Sequence, residues 1–145
     1  MVRANEKPEE LLIPTGCVWD AYTFVCDLIR SAKKRIILVD NFVDERVLTM
    51  LDKRNKGVTA EVHTRYYEQT KLDFDKHNQQ YEPIGYVQLP HAVHDRYLIV
   101  DDDVRLLGTS VKDMGRSLCT IIKVGFSPEG VMKQVHGFFS ISPVP

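Results

Sequence analysis

The chain has 145 residues, 43% of them hydrophobic and 27% charged, with a formal net charge of −1 at pH 7. That is the size and make-up of one globular domain with a real core. The near-neutral balance excludes a globally basic surface that holds nucleic acid or anionic membrane, so any phosphate recognition has to be local.

In chain order, residues 1–14 are charged, end at Pro14, and are expected to form a flexible arm. The domain is expected over 15–140, with a short tail over 141–145. Val18, Ala21, Val25, Leu28 and Ala32 recur at helical spacing and predict a helix over 17–33, with Lys33 and Lys34 at its C-terminal end. RIILVD (35–40) reads as a strand, 45–57 as an amphipathic helix closed by Gly57, 58–64 as a strand and 69–81 as a polar helix. Pro83 resets the chain before a strand over 84–89. Strands are then expected over 96–101 and 104–110, joined by a tight acidic turn at Asp102 and Asp103, and again over 117–124. Ser127, Pro128 and Glu129 mark the start of a last helix over 127–139. The early alternation of helix and strand, followed by a run of strands, implies an α/β fold: a mixed β-sheet sandwiched by helices.

The stretch HAVHDRYLIVDD (91–102) sets two histidines at the mouth of an apolar strand. Alternation puts His94, Arg96, Leu98 and Val100 on one face and Asp95, Tyr97, Ile99 and Asp101 on the other. With Asp102 and Asp103 as the turn, Arg96 lies across from Thr109 and His94 across from Val111. A one-residue slip brings Ser110 opposite His94, so both hydroxyls remain candidates. Gly108 is expected to leave room for an approaching group. An imidazole, a guanidinium and a hydroxyl at one hairpin end suit phosphate chemistry. Arg offers a planar fork of donors to phosphate oxygens, and a neutral imidazole attacks phosphorus or moves a proton. The same residues also fit an exposed strand entrance followed by an ordinary turn.

His94-x-Arg96-x4-Asp101-x6-Gly108-Thr109 resembles the H-x-K-x4-D-x6-G-S motif of the phospholipase D superfamily, with Arg96 for the usual Lys and Thr109 for the usual Ser. The flanks from about residue 17 to 125 also look like the phospholipase-D-like domain of bacterial and phage-related DNA-associated proteins. The resemblance implies that two motifs meet across a twofold axis. One histidine attacks the phosphodiester to give a phosphohistidine, the other protonates the leaving oxygen, and water completes hydrolysis without metal or other cofactor. With a single motif per chain, the active form is expected to be a homodimer with paired His94 side chains. The single-motif members it resembles are nucleases, so DNA or RNA is the expected partner, and a membrane is not.

The carried-over set is His94, Arg96 and Asp101 as the catalytic motif, with Thr109, Ser110, Lys112 and Asn41 toward the substrate. By its face, Asp101 is expected to order the turn and strand end. Val111 stands where the family often has Asn, and SLCTIIKV lacks the later acid that orients the histidine. Asp40 is a possible substitute for that acid. These departures favour an alternative, a phosphate- or nucleic-acid-binding module with little or no turnover.

Other features read more plainly. His91 and His94 point to opposite faces and lack a third ligand, so no metal site is expected. His63, at a strand end, is expected to be exposed. Lys53, Arg54 and Lys56 read as a solvated helix end, and Trp19, Tyr22 and Phe24 as core or dimer contact. No apolar run is long enough to span a membrane, and MVRANEKPEE is too charged for a signal peptide. Cys17, Cys26 and Cys119 are widely spaced and odd in number, which suits free thiols in a reducing cytoplasm.

Overall fold

A computed structural model describes residues 8–137 and 140–144. Seven strands form one mixed sheet in the order β1-β7-β6-β5-β2-β3-β4. β2 (Arg35–Val39), β3 (Thr59–Thr64) and β4 (Gly85–Gln88) are parallel. α2 (Glu45–Leu51) and α3 (Glu68–Gln80) make the crossovers that parallel pairing requires. β5 (Arg96–Val100), β6 (Asp103–Leu107), β7 (Cys119–Val124) and β1 (Glu10–Ile13) extend the sheet with antiparallel pairs.

Both faces of the sheet are covered, which is why β2 reads as a continuous apolar run rather than an alternating one. α1 (Val18–Ser31), α2 and α3 bury Phe24, Leu28, Leu48, Leu51 and Phe74 against Ile36, Leu38, Val62, Leu98 and Leu107. On the opposite face α4 (Pro128–Val135) lays Val131 and Val135 over Ile37, Val39, Ile99 and Val104. The period of two along β5 thus sends Leu98 and Val100 toward α1–α3, and Tyr97 and Ile99 toward α4.

Several boundaries differ from the sequence reading, each for a local reason. The expected arm contains β1, whose Ile13 is buried and whose backbone pairs with β7 from Glu10↔Ile122 to Ile13↔Cys119. The second helix stops at Leu51 rather than 57. There Arg54, expected in solvent, is buried and donates to the carbonyls of Leu51, Val58, Glu82 and Pro83. Gly57, at φ +87°, then turns the chain into β3. The last helix begins on a Ser127 cap, whose hydroxyl accepts from the Gly130 N–H at 3.0 Å, and ends at Val135. Residues 138 and 139 of its expected span lie outside the described residues.

The β5–β6 turn is at Asp101 and Asp102, one position earlier than expected. Asp101 takes a left-handed φ of 53°, which Asp tolerates better than most residues. Its carboxylate accepts from the backbone N–H groups of Lys33, Lys34 and Arg35 at 2.7–3.2 Å. The turn is thereby tied to the loop between α1 and β2. The ladder therefore pairs Arg96 with Leu107 and Leu98 with Arg105. This register is offset by two residues from the expected one, so every side chain keeps its face.

Burial pushes the Asp101 carboxyl up, but the donors of Lys33, Lys34 and Arg35 outweigh it and hold it below the usual carboxylate value. A depressed native pKa contributes stability that is present above the unfolded value and lost as pH falls through the native one. Asp101→Asn, which tolerates the same φ, is expected to cost about 1 kcal/mol at neutral pH. Denaturant unfolding across pH checks this, because the difference from wild type should fade in acid.

Candidate phosphate site at the strand ends

β2 and β3 end, β5 begins and β6 ends at the same edge of the sheet, because β5 runs against β2 and β6 against β5. Ligand sites in open α/β sheets gather at such strand ends. Here the strand ends bring Asp40, Asn41, Thr64, Arg96 and the loop 108–113 together.

Asp40 organises them. It is 1% exposed, and its carboxylate accepts from the Ser110 hydroxyl (2.9 Å), the Val111 N–H (2.9 Å) and the Phe42 N–H (3.0 Å). Burial raises the Asp40 carboxyl above its ordinary value, against the donors of Phe42, Val111 and Ser110 and the nearby Arg96 guanidinium. β5 lies between β2 and β6 in the sheet, so the Asp40–Ser110 link bridges across the start of β5, where Arg96 sits.

Arg96 is half-buried, and its Nε–H is buried with no hydrogen-bond acceptor among the described residues. Two more polar atoms at this edge, Asn41 Oδ1 and Thr64 Oγ1, are also buried and without a partner among the described residues. A buried guanidinium N–H without an acceptor is costly, and an anion bound there would satisfy it. Asn41 donates from Nδ2 to the Val93 carbonyl at 2.6 Å, which fastens the loop before β5 to the end of β2. His94 follows on that loop. It is exposed, and no hydrogen bond to a described residue fixes its imidazole.

The other sequence candidates separate clearly. Counting on from the Arg96↔Leu107 pair, His94 comes level with Thr109, which is half-buried. Ser110 is 3% exposed and has given its hydroxyl to Asp40, so it holds the loop in place. Lys112, in a 3₁₀ turn over Val111–Asp113, pairs with Asp113 at 2.7 Å. It lines a groove of about 310 Å³ with Val18, Tyr22 and Met50 of α1 and α2. Asp101 is at the opposite end of β5. Asp40 is engaged by the Ser110 hydroxyl and the Val111 and Phe42 N–H groups, and no hydrogen bond joins it to His94. Val111 lacks the amide of the family's Asn, yet its backbone N–H serves the clamp.

Gly108 has a different use from the one expected. A Cβ there would stand 3.0 Å from the Thr120 nitrogen and 3.1 Å from the Thr120 oxygen, so the missing side chain admits the β7 backbone rather than a ligand. His63, expected in solvent, is buried and on the α4 face, away from Arg96. Thr64, one residue on, faces the site, and period-two counting from Val62 would have found it. Among the described residues no group of three ligating side chains is placed to hold a metal ion, and no helix is long and apolar enough to cross a membrane.

No family model matches the sequence, and no curated protein matches it. Solved structures do. Phosphatidylserine synthase of Haemophilus influenzae Rd KW20 is similar at TM-score 0.60 and 17% identity, over 79% of this chain and 33% of that one. NucT from Helicobacter pylori gives 0.56 and 12%, over 79% and 83%. TrmBL2, an archaeal chromatin protein described with a novel mode of DNA binding, gives 0.50 and 15%, over 81% and 47%. The first two are phospholipase D superfamily structures, and at these identities the likeness is one of fold. The chain has a phospholipase-D-like fold, as the motif spacing led one to expect.

Removing the clamp should be felt throughout this edge. Asp40→Ala leaves the Ser110 hydroxyl and the Val111 and Phe42 N–H groups without their acceptor. It is expected to cost about 3 kcal/mol by denaturant unfolding. Gly108→Ala is expected to cost about 1–3 kcal/mol, because backbone rather than a flexible side chain stands in the way.

Proposed function

We propose that the chain is a phosphodiester-processing protein of the phospholipase D type, acting on DNA or RNA as a homodimer. The observation that carries this reading is the Arg96 guanidinium, whose buried Nε–H lacks an acceptor while the open His94 imidazole stands two residues away. Arg96, the Thr109 hydroxyl and backbone N–H groups of the clamped loop bind the phosphate. His94 of one protomer attacks phosphorus. A P–N bond forms, the P–O bond to the leaving group breaks, and the partner's His94 gives that oxygen a proton. Water then attacks the phosphohistidine, loses its proton to the partner's His94, and restores the first imidazole.

Two observations support pairing of copies. One protomer offers one such imidazole, so the acid and the nucleophile need two. In addition, exposed Trp19, Phe42 and Leu118 border the strand-end edge and offer apolar surface for a second copy. NucT, a nuclease of which this chain covers 83%, supports nucleic acid as the substrate, against phosphatidylserine synthase, of which it covers 33%.

A second reading, binding without turnover, is favoured by the absence of any described residue that orients His94 and by Arg96 in the place of Lys. Under it the same pocket holds phosphate and releases it unchanged.

Wild-type protein with EDTA is expected to cleave DNA or RNA, and His94→Ala to lose at least about a hundredfold in rate. Equal cleavage by the two, or cleavage only with added metal, would overturn the mechanism. Arg96→Ala is expected to weaken oligonucleotide binding about tenfold, measured by fluorescence anisotropy. Binding lost in Arg96→Ala without any cleavage by wild type would select the second reading.

A further inference from the structure

On the α4 face, three side chains form a chain of hydrogen bonds that the phosphate site does not use. His63 Nε2 meets Glu61 Oε1 at 3.0 Å, and His63 Nδ1 meets His136 Nε2 at 2.6 Å. The two imidazoles stand edge to face with centroids 4.8 Å apart. Glu61 and His63 lie on β3, with His63 6% exposed. His136 caps the C-terminus of α4 and is exposed. This contact joins the end of α4 to a strand whose sheet neighbours on either side of His63, Val39 and Val87, are apolar.

We propose that Glu61, His63 and His136 form a pH-sensitive latch that holds the C-terminal end of α4 on the sheet. In the neutral pair, His63 donates from Nε2 to Glu61 and accepts on Nδ1 from His136 Nε2–H. One added proton is tolerated, because one of the two facing nitrogens can still accept from the other. A second added proton makes both facing nitrogens donors, and the contact becomes repulsive.

The surroundings favour the neutral form. Burial, His63 and His91 lower the His136 pKa, against Glu61, which raises it. The other basic residue of this last turn, Lys133, adds no countercharge. A native pKa below the ordinary imidazole value of about 6.5 means that the open state binds more protons. The latch is therefore closed above that value and is lost as pH falls through the lowered one.

Opening would reach the strand-end loop through a shared cavity of about 550 Å³. Its walls include Val131, Gln134 and Val135 of α4 and His91–Val93, the residues that lead into His94. Gln134 also holds the tail, donating to the Ser140 carbonyl (3.1 Å) and the Ser142 hydroxyl (2.7 Å). Acidification thus loosens α4, the tail and one support of the His94 loop together. Such an effect is separate from titration of His94 and does not depend on the chain being an enzyme.

Native-state hydrogen exchange tests it, with protection factors for amides 131–136 compared with those of α1 at about pH 7.5 and about pH 5. Wild type is expected to lose α4 protection about tenfold or more relative to α1 at the lower pH. His136→Gln, at an exposed cap, keeps a side-chain donor that cannot titrate and is expected to change less than about twofold. His63→Gln gives a second, independent check of the same insensitivity. Wild-type α4 that is equally protected at both pH values, or an undiminished acid response in His136→Gln, would overturn the latch.

Discussion

The strand-end edge of this protein depends on one buried carboxylate. Asp40 closes β2 and receives two donors from the loop that follows β6, two strands away, so it fixes that loop across the mouth of β5. Gly108 and Gly115 hold the two ends of that loop through Thr120 and Gly16, and Asp40 holds its middle, beside Arg96. Burying a carboxylate is costly, which its raised pKa reflects. The cost is partly offset by three hydrogen bonds and a neighbouring guanidinium. This is a reason to keep an Asp where an apolar residue would pack more easily.

At its other end the sheet is fastened by a second carboxylate with the opposite balance. Asp101 is stabilised as an anion by three backbone N–H groups of the α1–β2 loop. β5 is thus held at both ends, by Asp101 below and through Asn41 and Val93 above. The motif's His, Arg and Asp divide accordingly: His94 and Arg96 lie at the strand-end edge, while Asp101 anchors the opposite end of the strand that carries them. The two sheet faces carry different polar groups as well. Arg96, Asp40 and Thr64 face α1–α3, and His63 and Glu61 face α4.

Much of this was legible in the sequence through periodicity. The alternation in RYLIVD assigned faces correctly even though the turn was misplaced, because a two-residue offset preserves parity. The offset itself was not readable, since it follows from a left-handed Asp101 and from donors contributed by residues 33–35. Gly108 was read as leaving room for an approaching group, and that group is the β7 backbone, which pattern reading does not bring alongside. Asp40 was read as a possible substitute for the acid that orients the histidine; its donors are instead Ser110, Val111 and Phe42, because which buried donor a carboxylate meets is a tertiary fact. The His63–His136 contact spans 73 residues and left no local signal.

The central claim is that the Asp40-clamped edge holds a phosphate between Arg96 and His94. Titrating inorganic phosphate into isotopically labelled protein while following backbone amide resonances tests that claim most directly. The account predicts saturable shifts centred on His94–Arg96 and Gly108–Val111, which are lost in Arg96→Ala while α3 stays unperturbed. Saturable shifts elsewhere, or none at these residues at millimolar phosphate, would contradict it.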